Sequence, residues 1–312
     1  MKKNKIAIVG VGTVGATIAC NAVVQGFADE ILLIDKNEAK ARAEMLDLQH
    51  TMTFQKKQCK VKVGKYEDCG DMDIIILTAA APLIQGQTRL DMLETAKKIT
   101  KSIIPKVMES GFNGHIIVIT NPVDIISYYV WRLSGLPRNK VIGTGTALDS
   151  ARLKVMLGDI IGLDPNSIQA FTLGEHGDSQ FIPWKAVSIG GKSWEEIIED
   201  NPERKERFDK EQVLADVKNA GWKIANIKNT TNYGIAATTL RLVEAILNNE
   251  SAVIPVSTYL DGEYGVKDLF ISVPAIINAQ GVAEIVELRL TTDEQEQFEH
   301  SAGIIKEYIQ KL

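Results

Sequence analysis

Short apolar runs rich in Ile and Val, separated by segments of helical length, mark the first half of the chain: KIAIV at 5–9, EILLID at 30–35, KVKV at 60–63, DIIILTA at 73–79, HIIVIT at 115–120 and KVIG at 140–143. KVKV apart, the runs are continuous and do not alternate with polar residues. A parallel sheet covered by helices on both faces requires strands of that kind. This half is therefore expected to form a doubly wound α/β domain, residues 1–144. Beyond it the alternation is less regular. A long charged helical stretch runs from about Pro202 to Lys228, and hairpin-like material surrounds WKAVSIGGKSW and DLFISVPAIINAQGVAEIVEL. Residues 145–312 are expected to form an α+β domain. In the closing TTDEQEQFEHSAGIIKEYIQKL, Thr292 and Gln295 fit a capping box, and Phe298, Ala302, Ile305, Ile309 and Leu312 recur at helical spacing. That pattern predicts an amphipathic helix docked on the body or on another subunit.

Composition narrows the function classes. The 312 residues are 45% hydrophobic and 24% charged, enough to bury a sizeable core, and the net charge is -5. The charges are mixed, without a long single-sign run, which gives no footprint for nucleic acid or an anionic membrane surface. A small anionic ligand would need a locally positive pocket. Cys20, Cys59 and Cys69 are odd in number and lie in no Cys-x-x-Cys or Cys/His cluster, so neither disulfides nor a structural metal site is expected. The apolar run near the N-terminus is cut by Gly10 and Gly12, and no stretch approaches the roughly 18 apolar residues of a membrane span. The cytoplasm is the expected compartment.

Two constellations carry chemistry. In IAIVGVGTVGATIA, Gly10, Gly12 and Gly15 follow a strand and open a helix in the G-x-G-x-x-G order. The first glycine makes the turn, the second admits a pyrophosphate and the third lets helix and strand pack closely. Asp35, at the end of the second strand, can accept hydrogen bonds from ribose hydroxyls and would repel a 2′-phosphate. Together these features favour NAD over NADP. Taken alone, Asp35 would read as a solvated residue opening a turn.

The second constellation centres on TLGEHGDSQ, where His176 sits between glycines and beside carboxylates. It is either a surface-turn residue or a proton donor within reach of a small substrate. Asp149 and Arg152 stand three apart on a helix face. They read either as a weak surface pair or as two parts of a site, with Arg152 gripping a carboxylate and Asp149 orienting and charging His176. His50 and His300 lie on charged helical stretches, and His115 opens a strand in a structural role.

The residues GVGTVG with Asp35, TRLDM, TNPVD, GTGTALDSARL, GEHGDS and YGIA, in this order and spacing, resemble the lactate/malate dehydrogenase superfamily on its L-lactate and L-2-hydroxyacid side, over essentially the whole chain. The resemblance implies a Rossmann-type NAD domain followed by an α+β catalytic domain, and a homotetramer or dimer acting on a small 2-keto or 2-hydroxy acid in fermentative metabolism. It makes Gly10, Gly12, Thr13, Val14, Gly15, Asp35 and Asn121 cofactor-binding, His176 the proton donor, Asp149 its charged partner and Arg89 the group that polarises the carbonyl. Arg152 would bind the substrate carboxylate, with Asn121 and Thr231 lining the substrate, and the Asn121–Pro122 bond would be cis.

Aligned on GQTR, Leu83 stands where the lactate enzymes carry glutamine and the malate enzymes arginine. Leucine cannot pair with a second carboxylate, so a widened apolar pocket is expected, with 2-hydroxyisocaproate-type substrates as the alternative. In a competing reading, Leu83 only packs the loop and Gln85 or Gln87 meets the substrate. Lys154 and Phe171 stand where activation by fructose 1,6-bisphosphate would need an arginine and a histidine. Malate dehydrogenase, an idle NAD-sensing module and an NAD-dependent glycosidase are the weaker readings.

Overall fold

The computed structural model describes residues 3–81 and 89–312, with Arg89, Leu90 and Asp91 described by backbone alone. Six strands, β1 (Lys5–Val9), β2 (Glu30–Ile34), β3 (Lys60–Val63), β4 (Ile74–Leu77), β5 (His115–Val118) and β6 (Val141–Gly143), pair in parallel in the order β3-β2-β1-β4-β5-β6. Helices α1 (Thr13–Gln25), α2 (Glu38–Thr51), α3 (Arg89–Glu109) and α4 (Val123–Ser134) cross between them. Alternate residues of one strand enter opposite cores. Ile6, Ile8, Ile31, Leu33, Ile74 and Ile76 fill one, while Ala7, Val9, Leu32, Ile34, Ile75 and Leu77 fill the other. The inner strands are dry on both faces and so are apolar almost throughout, whereas β3, at the edge of the sheet, alternates Lys60 and Lys62 with Val61 and Val63. Asp35, Thr78 and Thr120 fall just past the strand ends, where backbone leaves the ladder and side chains become available to a site.

The chain then forms α5 (Ala147–Ile161) and a small antiparallel sheet of β7 (Ile168–Gln169), β8 (Ser188–Ile189) and β9 (Lys192–Ser193). Helices α6 (Trp194–Glu199), α7 (Pro202–Arg207), α8 (Lys210–Lys228) and α9 (Tyr233–Leu247) follow, then β10 (Ala252–Asp261), β11 (Lys267–Asn278), β12 (Gly281–Ile285) and α10 (Thr292–Ile309). The last three strands do not form a sheet of their own. β10 pairs antiparallel with β6 at Ser257 and Gly143, giving a nine-stranded sheet among the described residues. The addition covers the β6 edge, which would otherwise present unpaired backbone.

Two local expectations shift. The charged stretch from Pro202 divides at Phe208–Asp209: the Asp209 side chain accepts from the amides of Glu211 and Gln212 and starts a new helix. Phe208 turns inward against Trp184 and Trp194, with ring centroids 5.2 and 5.1 Å away. The closing helix is capped by Thr291, whose capping box is with Glu294, one residue before the expected Thr292–Gln295 pair. Gln295 donates instead to the Tyr264 carbonyl at 2.9 Å. Helix α10 buries Phe298, Ala302 and Ile305 against β11 and its surroundings, and the Phe298 ring stacks on Tyr264 at 4.8 Å. Among the described residues, no helix is long and apolar enough to cross a membrane.

Phe298→Ala should therefore lower unfolding stability by about 3–5 kcal/mol, the range for a fully buried aromatic. Urea denaturation followed by fluorescence measures this, and a loss under about 1 kcal/mol would contradict the docking of α10 described here.

Candidate active site

The crevice above β1 and β4 is built by glycines with different reasons for being there. Gly10, just past β1, has φ +98, and a Cβ on it would lie 2.6 Å from the Ala79 amide nitrogen. A Cβ on Gly15 would lie 2.0 Å from the Gly10 carbonyl oxygen. The protein's own packing requires both. Gly12 is different: it caps α1 with ordinary extended backbone, and a Cβ there would meet nothing within 4 Å. Open space over a glycine at a helix N-terminus fits an anionic ligand that must approach the backbone closely.

Thr13 and Gly12 are exposed, Val14 is half-buried, and no acidic residue occupies the first turn of α1. Asp35 stands at the rim of the crevice. Its Oδ2 accepts the Val11 amide at 2.7 Å and its Oδ1 the Asn37 amide at 2.8 Å. Two backbone donors fix the carboxylate, whose remaining lone pairs can accept ribose hydroxyls. The loop, the helix end and the carboxylate thus fit a dinucleotide.

The second cluster forms where β6 gives way to α5. Asp149, in the first turn of α5, places Oδ2 2.7 Å from His176 Nδ1 and accepts Arg152 Nη1 on Oδ1 at 2.9 Å. Side-chain exposures fall from 28% for His176 through 15% for Arg152 to 2% for Asp149. The Asp149–Arg152 contact is therefore largely buried, which excludes the surface-pair reading. Burial alone would push the Asp149 carboxyl up, but the charges of and hydrogen bonds from His176 and Arg152 outweigh it and hold the group below its ordinary range.

For His176, burial works against the imidazolium and Arg152 adds repulsion. The Asp149 carboxylate, by charge and hydrogen bond, and then Asp124 prevail, and its pKa is raised. With Asp149 ionised, Nδ1 is the donor and Nε2 is left for a substrate.

His176 does not sit on a loose surface turn. Gly174 exchanges backbone hydrogen bonds with Ser272 of β11, and the Glu175 amide donates to Ser301 Oγ of α10 at 2.7 Å. The His176 amide donates to Asp124 Oδ2 of α4 at 2.8 Å. Three elements distant in sequence hold the segment.

Among the described residues the hydrogen-bonded cluster is His176, Asp149, Arg152 and Asp124, and Asn121 and Thr231 stand outside it. Asn121 is exposed at the exit of β5, and its bond to Pro122 is cis. Thr231 is half-buried between α8 and α9. Arg89 is the first residue of α3, while Leu83, Gln85 and Gln87 lie outside the described residues. Lys154 and Phe171 are both half-buried, and burial lowers the Lys154 pKa. His50 and His300 are exposed, and His115 is buried with its pKa lowered by burial. Sequence reasoning quoted Asp124 only as the last residue of TNPVD and gave it no role. The available signal was a carboxylate in the first turn of an otherwise apolar segment, VDIISYYVW. Among the described residues, no group of three or more His, Cys, Asp or Glu side chains is arranged to hold a metal ion.

Comparison with known proteins gives a consistent picture. A family model described as "lactate/malate dehydrogenase, NAD binding domain" matches residues 4–143, and one described as "lactate/malate dehydrogenase, alpha/beta C-terminal domain" matches residues 146–312. The chain is 47% identical over 308 residues to L-lactate dehydrogenase 3 of Bacillus thuringiensis subsp. konkukian, covering 99% of this chain and 98% of the relative. It is 45% identical to L-lactate dehydrogenase 2 of Bacillus cereus, covering 98% of each. Among solved structures, the minor L-lactate dehydrogenase of Enterococcus mundtii in its ligands-bound form superposes with a TM-score of 0.95 at 42% identity, covering 99% of this chain and 98% of the other.

The three glycines predict separable outcomes. Gly12→Ala should change unfolding stability by less than about 1 kcal/mol yet weaken NAD binding about tenfold or more. Gly15→Ala should destabilise the fold by about 1–3 kcal/mol or more. Calorimetric titration with NAD, beside urea denaturation, measures both. Undiminished NAD affinity in Gly12→Ala would remove that residue from the binding site.

Proposed function

The chain belongs to the lactate/malate dehydrogenase family, and from that premise we propose that it is an L-lactate-type dehydrogenase, interconverting 2-keto acids and L-2-hydroxy acids with NAD. The His176–Asp149 contact of 2.7 Å carries this reading, because it prepares an acid to act where a ketone is reduced. When bound, NAD supplies or accepts the hydride. The protein's own residues handle the proton and the anion. His176 delivers a proton from Nε2 to the substrate oxygen during reduction and recovers it during oxidation, while Asp149 stabilises the charged imidazole and fixes its tautomer.

Arg152 shares one nitrogen with Asp149 and offers its other donors to the substrate carboxylate. Arg89 polarises the carbonyl, a role that rests on the resemblance alone. Asn121 and Thr231 line the substrate, Asn121 also meeting the cofactor. Gly10, Gly12, Thr13, Val14, Gly15 and Asp35 hold the dinucleotide. Residues 1–144 thus serve the cofactor and residues 145–312 the substrate and acid, with Arg89 and Asn121 reaching across. The assembly proposed is a homotetramer or dimer in the cytoplasm.

The relatives named L-lactate dehydrogenases favour pyruvate and lactate as the reactants. Leu83 supports a wider apolar pocket that also admits larger 2-keto acids, and it disfavours oxaloacetate, whose second carboxylate it cannot pair. A strict preference for 2-ketoisocaproate is the second reading, resting on the same leucine.

Loss of NADH absorbance with pyruvate, 2-ketoisocaproate, phenylpyruvate and oxaloacetate tests the assignment. Turnover of the first three is expected, with oxaloacetate poorest, and Leu83→Gln should shift selectivity toward pyruvate. A strong oxaloacetate preference would overturn the substrate assignment. His176→Asn should lower kcat by about 10²–10⁴ while NAD binding persists, and an undiminished rate would refute the proton-donor role.

The pH dependence has a fixed sign. Reduction needs protonated His176, whose pKa is raised above 6.5, so kcat/KM for pyruvate should fall as pH rises through that pKa. Oxidation of lactate should rise over the same range. A reduction limb falling below pH 6.5 would contradict the assignment.

A further inference from the structure

We propose that Asp124 is a positioning residue for His176: it ties the backbone of the proton donor to the start of α4 and sets a second negative charge facing the imidazole. The inference rests on the proposed role of His176 and extends it to a residue outside the sequence motif that identifies the acid. Asp124 is 1% exposed. Its Oδ2 accepts the His176 amide at 2.8 Å, and its Oδ1 receives a weak donation from Ser272 Oγ of β11 at 3.4 Å. The buried Ser257 hydroxyl of β10 lies beside it. One carboxylate therefore joins α4, β11 and the loop of His176. Helix α4 begins directly after Asn121 and Pro122, so the same clamp fixes the acid relative to the segment proposed to meet substrate and cofactor.

The hydrogen bond alone does not require a carboxylate. An asparagine oxygen in the same place would accept the same amide, without the expense of burying an ionisable group. What aspartate adds is charge. The charged and titratable groups around it are His176 and Glu175 on the loop, with Asp149 and Arg152 of α5 reaching the same imidazole; β10 and β11 present only hydroxyls. Burial pushes the Asp124 carboxyl up to about 6, against the hydrogen bond from the His176 amide and the nearby Ser257 hydroxyl, and Glu175 repels its charge. Above that pH the group is ionised and favours protonated His176. Below it the group is neutral and that support is withdrawn. The two titrations are coupled.

Asp124→Asn keeps the acceptor and removes the charge, whereas Asp124→Ala removes both. The decisive measurement is an NMR titration of the imidazole signals in the full protein, where His176 is one of four histidines. In Asp124→Asn the His176 titration should move down by about one pH unit, and the alkaline limb of pyruvate reduction should move with it, with KM little changed. Asp124→Ala should lose kcat at every pH, a loss that asparagine restores at low pH. An unmoved His176 titration in Asp124→Asn overturns the proposal, whether or not Asp124→Ala folds. Because the titration needs no turnover, it decides the inference separately: absence of 2-keto acid reduction by the wild-type protein would count against the function reading and not against the clamp.

Discussion

A buried carboxylate that stays ionised organises the second half of this molecule. Asp149 is almost fully enclosed, and an isolated charge in such a place would take up a proton. It does not, because an imidazolium and a guanidinium meet its two oxygens. Removing either partner leaves the buried charge only partly compensated, which is more damaging than losing a surface pair. His176 and Arg152 are therefore coupled: each is oriented by the group that it neutralises. One carboxylate thereby places an imidazole able to donate a proton and a guanidinium able to bind an anion a short distance apart.

The fold exists around that need. Six parallel strands buried on both faces bring their C-terminal ends to one side, where glycines and helix N-termini replace side-chain bulk. The antiparallel strands do not stand apart as a separate unit. They extend the same sheet past β6 and carry Ser257 and Ser272 to the base of the site, while α10 supplies Ser301 behind the loop of the acid. The segment of His176 is thus held by parts of the chain separated by more than a hundred residues.

Much of this was legible in the sequence, for physical reasons that differ by element. The inner parallel strands were visible because two-sided burial leaves unbroken apolar runs, and β1 begins and ends where its run does; the edge strand β3 coincides with KVKV, where lysines alternate with valines. The cofactor loop was readable because its glycines answer to sterics that spacing records. The convergence of Asp149, Arg152 and His176 came from resemblance, since nothing local brings residue 176 to residue 149. Strand β10 went unmarked because Pro255, Ser257 and Thr258 interrupt its apolar pattern at buried positions where the serine serves the site. Asp124 was given no role for a related reason: a lone acid opening an apolar helix reads as an ordinary N-terminal charge, and only tertiary structure turns it toward His176. Leu83, on which the proposed substrate breadth rests, was placed by alignment on GQTR and lies outside the described residues.

The chemistry proposed for the site turns on one proton. A nitrogen-15 NMR titration of wild-type His176 without substrate would locate it directly. The account predicts a pKa above 6.5 and a neutral form carrying its hydrogen on Nδ1, toward Asp149. A pKa at or below 6.5, or a neutral form protonated on Nε2, would contradict it.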